Sequence, residues 1–211
     1  MSHWPIDTDR NPTPIRLFKS DFMEFFTHIS PITIVIFWLP IALWFLLSGV
    51  GRTGFTAIIP LGFVSGLFLW TFAEYTLHRF LFHHAPATPA QERIFFLFHG
   101  VHHAQPQVKT RLVMPLPVSL PMSLILYGLV YLIVAVILRA PQWVGPLMGG
   151  FLVGYLIYDL THYATHHWAM RGSVGKFLKR YHMQHHYKDP NTRYGVSNPL
   201  WDYVFQTRGV E

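Results

Sequence analysis

Twelve of the 14 histidines in this 211-residue chain fall in four tight clusters. The first holds His78, His83 and His84; the second, His99, His102 and His103; the third, His162, His166 and His167; the fourth, His182, His185 and His186. Imidazole is the commonest protein metal ligand, and the chain has no cysteine to offer a thiolate or a nucleophilic sulfur. A lone histidine at a membrane interface is ordinarily solvated or hydrogen-bonded. Four clusters on one side of a bilayer point to metal. Ten imidazoles, those of His78, His83, His99, His102, His103, His162, His166, His182, His185 and His186, exceed the roughly four to six positions of one ion. They suit two ions with about five ligands each. His84 and His167 follow better-placed histidines and are set aside as bystanders, and His3 and His28 are expected at the surface.

A closed, tetrahedral structural zinc site would be overfilled by ten histidines. Imidazole equally suits zinc, copper, iron and nickel, and a paired redox site is the better reading. Ligating histidines usually donate their second N–H to a carboxylate or a carbonyl. Glu74, four residues before His78, and Asp159, three before His162, are the first candidates for that role; Asp189 and Asp202 come later.

The spacing says what must hold these rings. His162 and His166, at i and i+4, share a helix face. In each HxxHH cluster the three rings at i, i+3 and i+4 are expected to form one three-imidazole clamp. His78 and His83, at i and i+5, lie about 140° apart on an α-helix. Either the helix ends near Phe82 or these two rings address different metals. Thr88-Pro89-Ala90-Gln91 reads as the capped start of a short helix leading into the second cluster.

Four stretches lack Asp, Glu, Lys, Arg and His altogether: 30–51, 53–73, 112–138 and 140–158. Each is long enough to cross a bilayer. Charged residues are 12 % of the chain, against about 25 % in soluble domains, so lipid must cover much of the surface. The aromatic content of 17 % excludes disorder. Short breaks at 48–54 and 139–142 pair the spans into two hairpins, and Pro115, Pro117 and Pro121 delay or kink the third helix. Of the 16 basic residues, 14 fall in the N-terminal arm, the middle linker or the tail; only Arg52 and Arg139 lie opposite. That asymmetry places both termini and every histidine cluster in the cytoplasm. The net charge of +6 then faces anionic lipid rather than nucleic acid.

The expected fold is all-α: an integral membrane four-helix bundle of two transmembrane hairpins, with a cytoplasmic helical cap holding a histidine-rich dinuclear metal site. Residues 1–211 form one membrane-embedded domain. Residues 1–17 are expected to be flexible, and 18–29 to form an interfacial helix or extend the first span. The spans are placed at about 31–49, 55–73, 117–138 and 143–161, and the metal-binding segments at 74–111 and 159–211.

The boxes HRFLFH (78–83), HGVHH (99–103), HYATHH (162–167) and HMQHHY (182–187), with the ending WDYVF (201–205), resemble the fatty acid hydroxylase superfamily of membrane di-iron oxygenases. The first box and the ending are most similar to the fatty acid 2-hydroxylases, over about 18–207. The resemblance implies two iron ions in the ten-histidine site, with zinc able to occupy it in purified protein. It also implies a dioxygen-dependent monooxygenase acting at the carbon next to an acyl carbonyl, in a free fatty acid or a sphingolipid. The acyl tail would lie among the helices, with its polar end beneath the histidines.

Many eukaryotic members carry an N-terminal haem domain marked by His-Pro-Gly-Gly. That motif is missing here, so the expectation is a separate electron-donor protein and a bacterial inner membrane in preference to the endoplasmic reticulum. Alternatives are a sterol desaturase or oxidase or a carotenoid hydroxylase of the same chemistry, and, outside enzymes, a metal transporter or metal-binding protein. Transporters place their ligands near the midplane, whereas these clusters lie beyond the spans. Residues 187–203 either cap the site or cover the metal helices, the second being favoured. Lys109, Arg111 and Arg193 are read as inside-facing charges before substrate contacts.

Overall fold

The computed structural model describes residues 13–209, whose regular elements are all helices. In chain order these are α1 Asp21–Phe25, α2 Pro31–Thr53, α3 Ile58–Thr76, α4 Pro89–Phe95, α5 Val101–Ala104, α6 Leu116–Val130, α7 Val144–His167, α8 Gly172–Tyr187 and α9 Leu200–Val204. Wider, π-helical turns extend α3 through Leu77–Phe82, join α4 to α5 through Phe96–Gly100, and extend α6 through Tyr131–Ile137. Four runs are long and apolar enough to cross a membrane: Pro31–Thr53, Ile58–Phe82, Lys109–Ile137 and Pro141–His167. The described residues divide into two compact units, 31–70 with 116–157, and 13–30 with 71–115 and 158–209.

In the first unit α7 is the central helix. Its apolar window is 72 % buried, that of the Lys109–Ile137 run 0 %. Small residues let the backbones meet, as membrane helices require where no hydrophobic force drives them together. A Cβ on Gly150 would collide with the Phe63 carbonyl, and one on Gly66 with that of Leu147. Aromatic rings fill the remaining space: Trp70 packs against Phe151 at 5.2 Å and Tyr155 at 5.3 Å, and Trp38 meets Tyr155 at 5.8 Å. One helix end differs from the sequence reading. α2 runs on to Thr53 and stops only at Gly54, whose φ of +65° turns the chain. α6 opens at Leu116, taking Pro117 into its first turn, and carries Pro121 inside.

The second unit holds every histidine cluster. Within it the described part of the N-terminal arm, residues 13–17, is tied down rather than flexible. Residues 1–12, and with them His3, lie outside the described residues. The Ile15 N–H donates to Gln105 Oε1 at 2.8 Å, Gln105 Nε2 donates to the Thr13 carbonyl, and Arg111 donates to the Ile15 carbonyl and the Glu24 carboxylate. The expected helix over 18–29 shrinks to the five residues of α1. Glu24 accepts the backbone N–H groups of Leu17 and Phe18 and folds the chain back on itself. His28 is half-buried rather than at the surface, 2.7 Å from Thr110 Oγ1 and 3.1 Å from Arg111 Nη2.

Candidate metal centre

Four helical pieces carry the ten histidines. The end of α3 and its π-helical extension bring His78 and His83; the π turn before α5, with α5, brings His99, His102 and His103. The last turns of α7 bring His162 and His166, and α8 brings His182, His185 and His186. The expected cap is present at Thr88, whose hydroxyl accepts the Gln91 N–H with Pro89 in the first turn. All ten rings gather in the second unit as two groups of five. His78, His83, His99, His103 and His185 form the first, and His102, His162, His166, His182 and His186 the second. Within each group every residue offers a nitrogen within 4.8 Å of all the others. The groups are neighbours, since His103 of the first stacks on His186 of the second at 4.1 Å.

The local winding explains the partition. The His83 N–H donates to the His78 carbonyl, the i→i+5 bond of a π turn. That wider turn brings two rings, which an α-helix would splay, into one group at the point where the helix ends. The three-imidazole clamp is not observed. His99 and His103 go to the first group while His102 goes to the second; His182 and His186 go to the second while His185 goes to the first. On an α-helix the i+3 and i+4 positions lie about 100° apart, so one cluster straddles two centres.

The donor set fits metal ions. In the first group Nε2 atoms lie 3.1 Å apart for His78 and His99, 2.9 Å for His99 and His103, and 3.1 Å for His83 and His185. In the second they lie 2.9 Å apart for His102 and His162, 3.0 Å for His102 and His186, and 2.9 Å for His166 and His182. Two ligands at right angles around an ion about 2.1 Å away stand about 3.0 Å apart; tetrahedral ligands would stand about 3.4 Å apart. The observed spacing of these pairs is close to that of two nitrogens at right angles around one ion.

Ligation requires neutral imidazole, and burial provides it. Desolvation, joined by repulsion among neighbouring rings, holds His83, His99, His102, His103, His182 and His186 well below the usual imidazole range. His185 is pushed down to about 4, chiefly by desolvation.

Two rings have their orientation set on the far side. His78 Nδ1–H donates to the Tyr194 carbonyl at 2.5 Å, and His185 Nδ1–H to the Thr192 carbonyl at 2.7 Å. Both bonds leave Nε2 as the free electron pair. These carbonyls were missed in the sequence because a main-chain oxygen carries no residue signature; the turn-rich composition of 187–203 was the one pointer. Glu74, expected beside a ligand, instead accepts the N–H groups of Val196 and Ser197 and the Ser197 hydroxyl. Asp159 accepts the Met114 N–H, Asp189 the Asn191 N–H, and Asp202 the N–H groups of Tyr194 and Gly195. His84 packs on Phe95 and His167 on Tyr163, outside both groups. Arg111 is an internal tie and not an exposed charge, and Arg193 is buried, its backbone N–H donating to the Thr207 carbonyl.

Residues 63–207 match the family model described as fatty acid hydroxylase. A dihydroceramide fatty acyl 2-hydroxylase of Arabidopsis thaliana is 36 % identical over 206 residues, covering 97 % of this chain and 83 % of that protein. The fatty acid 2-hydroxylase of Homo sapiens is 38 % identical over 214 residues, covering 92 % of this chain and 56 % of that one. Among solved structures, full-length scs7p, in which only the hydroxylase domain is visible, superposes with a TM-score of 0.81 at 33 % identity. It covers 89 % of this chain and 69 % of that one.

Proposed function

Because the chain belongs to the fatty acid hydroxylase family, we propose that it is a membrane-bound, dioxygen-dependent monooxygenase that hydroxylates a long acyl chain at the 2-position. The acyl group belongs to a free fatty acid or to a sphingolipid, the class named for the Arabidopsis relative. The observation that carries this reading is the pair of adjacent five-histidine groups. We read 1–211 as one hydroxylase domain, with both termini and the histidines on the cytoplasmic side, a placement the charge asymmetry supports.

His78, His83, His99, His103 and His185 would hold one iron ion, and His102, His162, His166, His182 and His186 the other. Zinc would enter the same shells in purified protein. Bound there, a pair of irons supplies the redox chemistry that activates dioxygen. The balance is one C–H bond, one dioxygen, two electrons and two protons giving one C–OH bond and one water, so the chain needs a redox protein as electron donor.

The chain's own groups keep ten neutral nitrogens aimed inward. The Tyr194 and Thr192 carbonyls fix the rings of His78 and His185. The buried Phe82 ring stacks on His99 at 5.2 Å and shields that side from water. Among the described residues both groups consist of histidine alone, so neither brings an acidic side chain to its shell.

Lipid mass spectrometry of cells expressing the wild-type chain or His185→Ala tests the reading. The wild type is expected to produce 2-hydroxy acyl lipids and the variant none. Unchanged acyl chains beside an oxidised sterol or carotenoid, or a 2-hydroxy product that survives His185→Ala, would overturn it.

A further inference from the structure

The two histidine groups differ on their outer, Nδ1 side. In the first group His78 and His185 each donate to a main-chain carbonyl, and both carbonyls belong to one loop, residues 192–197. That loop is clamped along its length. Four consecutive backbone N–H groups end on two buried carboxylates: Tyr194 and Gly195 donate to Asp202 at 2.9 and 2.8 Å, and Val196 and Ser197 to Glu74 at 2.6 and 2.8 Å. Thr207 Oγ1 adds a bond to Asp202 at 2.7 Å. Between the two carbonyls Arg193 takes a left-handed φ of +61°, a conformation a side chain resists. That kink turns the carbonyls before and after it toward two different rings. A Cβ on Gly195 would collide with the Asn198 carbonyl, so the turn also needs its glycine.

Three rings of the second group lack this support. His102, His182 and His186 have buried Nδ1 atoms with no hydrogen-bond partner among the described residues. A ring whose Nδ1–H is held has its tautomer and direction set before the ion arrives, and its Nε2 becomes a stronger donor. A ring without that bond must be ordered by the ion itself.

We propose that the two centres are unequal: the group of His78, His83, His99, His103 and His185 is the tight site, and the group of His102, His162, His166, His182 and His186 is the weaker, exchangeable one. Glu74 and Asp202 are positioning residues that act on the tight site through the 192–197 loop. The inference rests on the metal-binding reading above and adds an order of filling to it.

The test is a titration of the purified full chain, stripped by chelation, with Co²⁺. Bound ions are counted by elemental analysis and the shells followed by visible absorption. Two steps separated by at least about tenfold in affinity are expected, the scale on which such outer hydrogen bonds act. His182→Ala should leave the tight step in place and weaken the second further, whereas His78→Ala should weaken the tight step. Glu74→Ala should weaken the first step about tenfold and shift its absorption band, leaving the second step in place. Glu74→Gln, which keeps the oxygen that accepts both N–H groups, should restore the first step. Equal affinities in the His78→Ala and His182→Ala proteins would overturn the inequality. Equal weakening of both steps by Glu74→Ala, at retained helicity, would overturn the role of the clamp. A stripped wild-type chain that takes up no Co²⁺ would instead overturn the metal-binding reading.

Discussion

His102 and His185 are the middle rings of their clusters, and each joins the group that its two neighbours do not. One short helix therefore serves two centres, and a substitution at either position removes a ligand from a different group than sequence proximity implies. The same burial that shapes the groups sets their response to acid. A histidine that binds its proton less readily folded than unfolded draws the chain toward the unfolded state as that proton becomes available. His185, at about 4 when folded, and the six other rings held low outside the spans thus add stability in full only above the unfolded value of about 6.5. That stability is lost as the pH falls below it. We expect the melting temperature of the chelator-treated protein to be level above about pH 7 and to drop steeply between about pH 6.5 and 4; a melting temperature flat across that window would contradict the buried, neutral state of these rings.

At the scale of elements, two devices place the ligands. The π turn at Leu77–Phe82 converts an i, i+5 spacing into a shared site, and α7 brings His162 and His166 at the end of a helix whose earlier residues pack on glycine contacts. Gly150 tests the second device. A side chain there meets the Phe63 backbone, whereas a methyl group at Gly128 enters open space. Gly150→Val should lower stability in detergent by about 1–3 kcal/mol, the usual scale of overpacking, with Gly128→Ala close to wild type. Similar thermal unfolding curves for the two variants would show that α7 does not depend on this close approach.

For the whole molecule, the absence of cysteine from the sequence makes its orientation in the bilayer directly measurable. Ser173→Cys, at the exposed start of α8, should react with an impermeant maleimide added from the cytoplasmic side. Thr56→Cys, in the turn between the first two spans, should react only from the other side. Labelling of both positions from one side would overturn the four-span topology. The four spans and four histidine clusters were legible in the sequence because composition and short-range spacing are local properties. Absence of charge over about 20 residues implies a membrane helix whatever surrounds it, and an i, i+4 pair shares a face on any α-helix.

The division of ten ligands into two fives was not legible. It depends on a change of helical winding at 77–82 and on which side of each helix meets its neighbours. Nor was the outer support of the rings, because Glu74 meets Val196 across 122 positions and His78 meets the Tyr194 carbonyl across 116. Sequence alone determined that this is a membrane helical protein with clustered imidazoles of metal-binding type. Only the tertiary structure decided which rings share a centre and which are held in place, because those outcomes depend on backbone carbonyls and N–H groups that every residue carries and that only folding brings together.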